Sequence, residues 1–438
     1  MRFYDRDTEL ASLQEMLRQS RQEGRMTVVM GRRRIGKTEL VRRIGDERTL
    51  YFFVARKTEA LLCQDFAREI EEKLGVPIGW PTTFSEVFRF LLTFATHQPF
   101  SLIIDEFQDF QRINPAIFSE IQREWDTHKR QSKMNLIVSG SIFSLMKRIF
   151  EDAQEPLFGR ADRKIILKPF ATDVLKEILA DHNPQFTPED LLTFFAITGG
   201  VAWYVALMID NGKTSRSKML AYLTENNSPF INEGKNILIE EFGTDYAVHF
   251  SILTCIANGE RTRGEIENQL KIDNIGSYLV RLEKYYGLIK KRLPIFAKEN
   301  SKKARYTLSD SFLTLWFRFF YKYQAFVEND ALNQLARIIE RDYDSVSGFA
   351  LEQYFERKLR ESGNYTRIGK FWDRKGESEI DLVAVNEIDR IADVFEIKKD
   401  RKRYNEALLR NKVDVMLKSC EELKGMEIRL GVLSMEDM

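Results

Sequence analysis

The sequence predicts an α/β protein. A leading module is built on a parallel sheet; helices, a helix-turn-helix with a two-stranded wing, and a second, smaller α/β module follow. Three observations predict this. Gly31-Arg32-Arg33-Arg34-Ile35-Gly36-Lys37-Thr38 fits G-x-x-x-x-G-K-[ST] and lies between an apolar run at 26–30 and a helix-like stretch at 39–44. A second apolar run at 101–104 ends in Asp105-Glu106. Far downstream, Asp381 and a Glu396-x-Lys398 pair sit on two runs with strand rhythm.

The bulk properties agree. A chain of 438 residues has room for two to four domains. With 43% hydrophobic and 30% charged residues it reads as soluble and globular. The net charge of +1 conceals local asymmetry and so does not argue against nucleic acid. No run of about 18 apolar residues is present, so no membrane span is expected. The first residues lack the core of a signal peptide. Cys63, Cys255 and Cys420 lie far apart without metal-ligand spacing, which points to reduced thiols and a cytoplasmic protein. His97, His128, His182 and His249 form no ligand pattern. The 32 phenylalanines point to large helical cores.

The first module is expected over residues 1–165. In a strand–loop–helix, glycines at 31 and 36 let the backbone curl so that the N–H groups of residues 31–38 face phosphate oxygens. Lys37 supplies a point charge at the β- and γ-phosphates, and the Thr38 hydroxyl is placed to ligate Mg²⁺. Asp105, at a strand end, would hold the metal directly or through water. Glu106 would orient and deprotonate the attacking water. The alternatives are a chance match in a glycine turn and an ordinary strand with an acidic turn. The run at 134–141 is another strand ending in small polar residues, so Ser139 or Ser141 can reach the γ-phosphate or the catalytic water; a plain turn explains either alone. Arg160, after Gly159, could stabilise γ-phosphate charge in cis or in trans, or simply be solvated. Arg32, Arg33 and Arg34 can meet phosphate, DNA or a neighbouring subunit of a homo-oligomer, or water.

These motifs carry a resemblance. Residues 3–10 (FYDRDTEL), GRRRIGKT, LIIDEFQ, VSGS and PLFGR are similar to the boxes of the archaeal-type ATPase family of AAA+/STAND-related P-loop proteins. The resemblance implies ATP as the nucleotide, with Mg²⁺, and places the opening box near the adenine. The phosphate loop alone does not separate ATP from GTP, although no guanine-reading N-K-x-D is present.

Residues 166–244 read as helical, with Thr172 or Asp173 as an N-cap and a helix opening after Gly199-Gly200. By resemblance this is the lid over the nucleotide. Relatives often carry a proline after the Gly-Gly pair; here Ala202 follows Val201, which puts nucleotide sensing at this turn in doubt. Residues 245–310 read as a winged helix-turn-helix. Ile275, Leu279 and Leu282 share one face of its third helix, and Ser277, Tyr278, Arg281 and Lys284 the other. Between 261 and 305 stand 12 Lys or Arg against 5 Asp or Glu, the footprint of a double-stranded DNA partner. A protein–protein role is the alternative.

Residues 311–344 are expected to be a helical connector, with 312–320 as a buried helix, and 345–438 a last domain. There a helix is expected from about 349 with Glu352 in its first turns, then strands carrying Asp381 and Glu396. Period-2 alternation puts Glu396 and Lys398 on one face. Asp381 and Glu396, with Glu352 from the helix, could share Mg²⁺ ions, while Lys398 activates water or steadies charge. The pattern resembles the PD-(D/E)xK nucleases and the uncharacterised DUF234-type domain that commonly follows such an ATPase. That resemblance implies a restriction-endonuclease-like fold. Ile380 stands where the proline is missing. The leading reading is an ATP-hydrolysing enzyme that binds DNA and cuts it. Its rivals are a signalling switch acting through protein partners and a DNA tether with a decayed nuclease site.

Overall fold

A computed structural model describes residues 1–242, 246–259, 261–301, 303–373 and 376–438. The chain divides into two compact units, Tyr4–Lys168 and Pro169–Met438, the latter with Met1–Phe3.

In the first unit the apolar runs become strands β1 (Arg25–Met30), β2 (Leu50–Phe53), β3 (Phe100–Asp105), β4 (Met134–Gly140) and β5 (Arg163–Ile166). They form one sheet in the order β2-β3-β4-β1-β5, every pairing parallel. All of β3 and β4 is buried, as a parallel sheet covered on both faces requires. One face packs against helices Glu59–Leu74, Phe84–His97 and Ile117–His128 through a phenylalanine cluster in which Phe52 and Phe66 stack at 4.0 Å. Because β4 lies between β3 and β1, the carboxyl ends of these three strands stand side by side, where ligands meet such sheets.

The second unit opens with helices Thr172–His182, Pro188–Thr198, Ala202–Asp210 and Arg216–Leu223. Neither Thr172 nor Asp173 caps its own helix. The cap comes from Glu361, whose carboxylate accepts from the Thr172 amide and hydroxyl, each at 2.8 Å. Gly200 has φ of 81°, and a Cβ there would stand 2.6 Å from the Phe170 carbonyl, so this turn admits only glycine.

The winged helix-turn-helix is present. Helices Ala247–Ala257, Arg263–Leu270 and Gly276–Val280, the last continued by a turn over Arg281–Tyr285, precede the wing. Thr262 and Glu265 form a capping box at the second helix. Strands β6 (Arg261–Thr262), β7 (Ile289–Arg292) and β8 (Arg305–Leu308) pair in the order β6-β8-β7. The expected boundary at 244–245 lies outside the described residues.

The expected boundary at 344–345 falls inside one continuous helix, Leu332–Glu361. Glu352 therefore sits in its later turns, not its first. Leu335, Ile339, Tyr343, Val346, Ala350 and Tyr354 are buried at helical spacing along it and explain the continuity. The chain then forms β9 (Arg367–Trp372), β10 (Glu379–Asn386), β11 (Ile391–Ile397) and β12 (Glu427–Leu433), in the order β12-β11-β10-β9. This sheet is mixed: only β11 and β12 run parallel. Among the described residues no helix is long and apolar enough to cross a membrane.

Candidate functional site

The phosphate loop is closely built. Arg34 and Gly36 take left-handed conformations, with φ of 68° and 95°. A Cβ on Gly31 would lie 3.0 Å from Ile35 Cγ2 and 3.1 Å from the Leu167 carbonyl. Lys37 is buried, and its Nζ donates to the Gly31 and Arg32 carbonyls at 2.8 and 3.0 Å. Arg33 is exposed beside it, Arg32 and Arg34 half-buried.

Residues far apart in sequence meet at Asp105. Thr38 Oγ1 donates to Asp105 Oδ2 at 3.0 Å, and the Glu106 amide donates to Oδ1 at 3.0 Å. The hydroxyls of Tyr51 and Ser139 donate to the same carboxylate. Burial pushes the Asp105 carboxyl up, but these four donors outweigh it and hold it below the usual carboxylate range. Burial, then Asp105 itself, pushes the Tyr51 phenol well up. The donor set fits a magnesium nucleotide: a hydroxyl and an ionised carboxylate are hard oxygen ligands, and a buried ammonium stands over the loop.

Glu106 is held separately. It has φ of 54°, and its Oε2 accepts from Ser141 Oγ at 2.6 Å and Gln108 Nε2 at 2.5 Å. A Cβ on Gly140 would lie 2.2 Å from Gln108 Oε1 and 2.5 Å from Met146 Sδ, so a larger residue between the two serines would push aside the amide that holds Glu106. The serines thus have different tasks: Ser139 holds Asp105, and Ser141 holds Glu106. Sequence reasoning missed Tyr51 and Gln108. A hydroxyl within an aromatic strand and an amide two residues beyond Glu106 were the only signals.

Arg160 is not brought to this loop. Its guanidinium donates to Asp126 at 3.1 Å and to the Phe158 carbonyl at 2.9 Å. Two residues on, the Asp162 amide donates to the Met26 carbonyl near the start of β1. The loop follows the other end of that strand, roughly 13 Å away at about 3.3 Å per residue. The parallel polarity of the sheet removes the cis role.

The second unit gathers the other predicted cluster. Asp381 Oδ2 accepts from the Ile397 amide at 2.8 Å and lies 3.7 Å from Lys398 Nζ. Lys398 donates to Glu396 Oε1 at 2.9 Å, so the two share a face as expected. Glu352 is paired with Lys370 of β9 at 2.6 Å. Lys412, from helix Glu406–Ser419, reaches Glu396 at 3.1 Å. Sequence reasoning missed Lys370 and Lys412. Burial, then Glu396, raises the Asp381 carboxyl against its hydrogen bond and nearby lysines. Glu396 is held low because Lys398 and Lys412 outweigh its burial. Each carboxylate therefore has an ammonium beside it. Among the described residues no three His, Cys, Asp or Glu side chains form a ready metal cage. Asp381 and Glu396 have the oxygen chemistry for a hard cation, which would displace or face Lys398.

Residues 3–208 match the family described as an ATPase domain predominantly from Archaea. Residues 316–408 match a family described as archaeal and bacterial proteins of unknown function. The uncharacterized protein MJECL04 of Methanocaldococcus jannaschii is 29% identical over 406 residues, covering 90% of this chain and 87% of its own. The Walker-type ATPase PABY2304 of Pyrococcus abyssi superposes with a TM-score of 0.53 at 19% identity, covering 72% of this chain and 96% of its own, which shows a shared fold. The ORC2 protein of Aeropyrum pernix, in ADPNP–ADP complexes, gives a TM-score of 0.46 at 12% identity over 77% of this chain and 96% of its own. Two family models thus match the chain in series, the ATPase domain predominantly from Archaea over residues 3–208 and the archaeal and bacterial family of unknown function over residues 316–408.

Proposed function

We propose that this protein hydrolyses ATP at the Thr38–Asp105 site, in the cytoplasm, and that its second unit binds double-stranded DNA and cuts it. The observation that carries the first part is the 3.0 Å contact between Thr38 Oγ1 and Asp105 Oδ2. It joins the phosphate loop to the acidic strand end that such hydrolysis needs. Mg²⁺, when bound, would neutralise charge on the β- and γ-phosphates. Thr38 and Asp105 would hold it, and Lys37 would leave its loop carbonyls for the phosphates. Glu106, fixed by Ser141 and Gln108, would accept the proton of the attacking water.

For the second part, Ser277, Arg281 and Lys284 are exposed on the third helix of the winged helix. Asp381, Glu396 and Lys398 form the candidate cleavage site. The pairing of each carboxylate with a lysine favours a second reading, a switch that does not cut and acts through protein partners. An ATPase assay with and without plasmid, followed by electrophoresis of that plasmid, tests both. Lys37→Ala is expected to abolish ATP turnover; full turnover in that variant would sink the ATPase assignment. Asp381→Ala is expected to stop nicking and leave ATP turnover intact. Plasmid left supercoiled by the wild type with Mg²⁺ or Mn²⁺ would remove the cleavage reading and leave the switch.

A further inference from the structure

The wing carries basic residues, yet its flanks are joined to the C-terminal sheet. Strand β9 ends that sheet, so among the described residues one side of its backbone has no partner strand. The Ile295 amide, just past β7, donates to the Lys370 carbonyl of β9 at 2.8 Å. The Ile295 side chain is 5% exposed and belongs to the same apolar cluster as Phe371, Ile380, Val383 and Met416. On the return, Trp372 Nε1 donates to the Lys303 carbonyl at 3.1 Å.

The arginines at the strand ends are engaged as well. Arg292 pairs with Glu356 at 2.5 Å, and Glu356 is buried on helix Leu332–Glu361. Arg305 pairs with Glu379 at 3.2 Å and lies over the Trp372 ring, 4.7 Å from its centroid. Arg367 of β9 in turn covers Phe296, at 4.8 Å. A phosphate competing for Arg292 would take from the buried Glu356 carboxylate its 2.5 Å partner and leave it Arg360 alone, at 2.8 Å, which opposes the exchange.

We infer that the wing is a clasp on the edge of the C-terminal sheet, and that Arg292 and Arg305 do not serve nucleic acid. Duplex DNA is then met by the helix over 276–285, through Ser277, Arg281 and Lys284. The second half of this inference rests on the DNA reading above; the first half does not. A consequence is that the DNA-facing helix and the Asp381–Glu396 cluster form one body, with Lys370 shared between clasp and cluster.

Two measurements on the full chain test it. The first is fluorescence anisotropy of a labelled DNA duplex across a salt titration. Arg281→Ala with Lys284→Ala is expected to weaken binding about tenfold or more and to reduce the salt slope by about 2, one counterion step per lost contact. Arg292→Gln and Arg305→Gln are expected to stay within about twofold of wild type with an unchanged slope. A loss at Arg292 and Arg305 equal to that of the helix pair would overturn the assignment of the DNA face. The second measurement is amide hydrogen exchange of the wild type. The Ile295 amide is expected to be protected like the interior of β10. Exchange at Ile295 as fast as at the exposed residues 298–300 would overturn the clasp. A wild type without salt-dependent DNA binding removes the DNA reading alone, and the exchange result still decides the clasp.

Discussion

Asp105 accepts hydrogen bonds from Thr38, Tyr51, Ser139 and the Glu106 amide, so the fold selects its ionised form. Its folded pKa lies below the ordinary value of about 3.9. Its ionisation therefore contributes stability that is fully present above that ordinary value and is lost as pH falls through the folded one. Asp105→Asn is expected to flatten the acid limb of the stability profile below about pH 4, and to cost roughly 1–3 kcal/mol at neutral pH through the donors it leaves mispaired. Denaturant titrations at pH 7, 4 and 3 check this; parallel acid limbs in the two proteins would show that Asp105 is not the source. Tyr51→Phe removes one donor and is expected to cost about 1 kcal/mol in the same measurement. Lys37 and Thr38 were legible because short spacings on a strand–loop–helix fix their geometry, and Asp105 and Glu106 because they end a separate apolar run. Tyr51 was not, because its partner is defined only when β2 pairs with β3. Ser139 and Ser141 were both visible as candidates, but which carboxylate each holds depends on where β4 sits in the sheet.

Helix Leu332–Glu361 does several jobs within one register. Glu352 faces Lys370, Glu356 faces Arg292, and Glu361 caps the helix at Thr172. Arg357 donates to the carbonyls of Gly199 at 2.9 Å and Pro169 at 3.0 Å, and also to that of Phe170. One planar guanidinium thus fastens the Gly199-Gly200 turn to the segment at 169–170. Arg357→Ala is expected to destabilise the second unit by about 2–3 kcal/mol, the scale of charge-assisted bonds to part-buried carbonyls. Arg357→Lys should recover little, since an ammonium cannot span these acceptors in a plane. Thermal melts of the three proteins decide it, and a lysine variant as stable as wild type would refute the fork geometry. The helix was only half legible. Its first half carries Arg341, Asp342 and Asp344, within the stretch that reads as connector, and only its buried stripe makes it continuous. Likewise the strand rhythm showed the wing, but nothing local in it announces an edge strand as partner.

At the scale of the molecule, the modules after residue 168 collapse into one compact unit, and Tyr4–Lys168 forms the other. The reason is visible in the tertiary contacts: the long helix, the clasp and the turn at Gly199 each tie segments that sequence spacing presents as separate. The phosphate loop, Asp105 and Glu106 all belong to the first unit. Calorimetry of the full chain is therefore expected to show two transitions, and magnesium ATP should raise only the one belonging to the first unit. At about 100 times its dissociation constant a ligand adds about 2.7 kcal/mol to the state that binds it. For a unit of this size that corresponds to a rise of roughly 5–10 °C. Lys37→Ala should cancel the rise without moving the second transition, because Lys37 lies in the first unit, where its ammonium donates to the Gly31 and Arg32 carbonyls. Arg357→Ala should do the reverse, lowering the second transition and leaving the ATP-dependent rise intact. A single transition that ATP and both variants shift together would mean that the two units unfold as one.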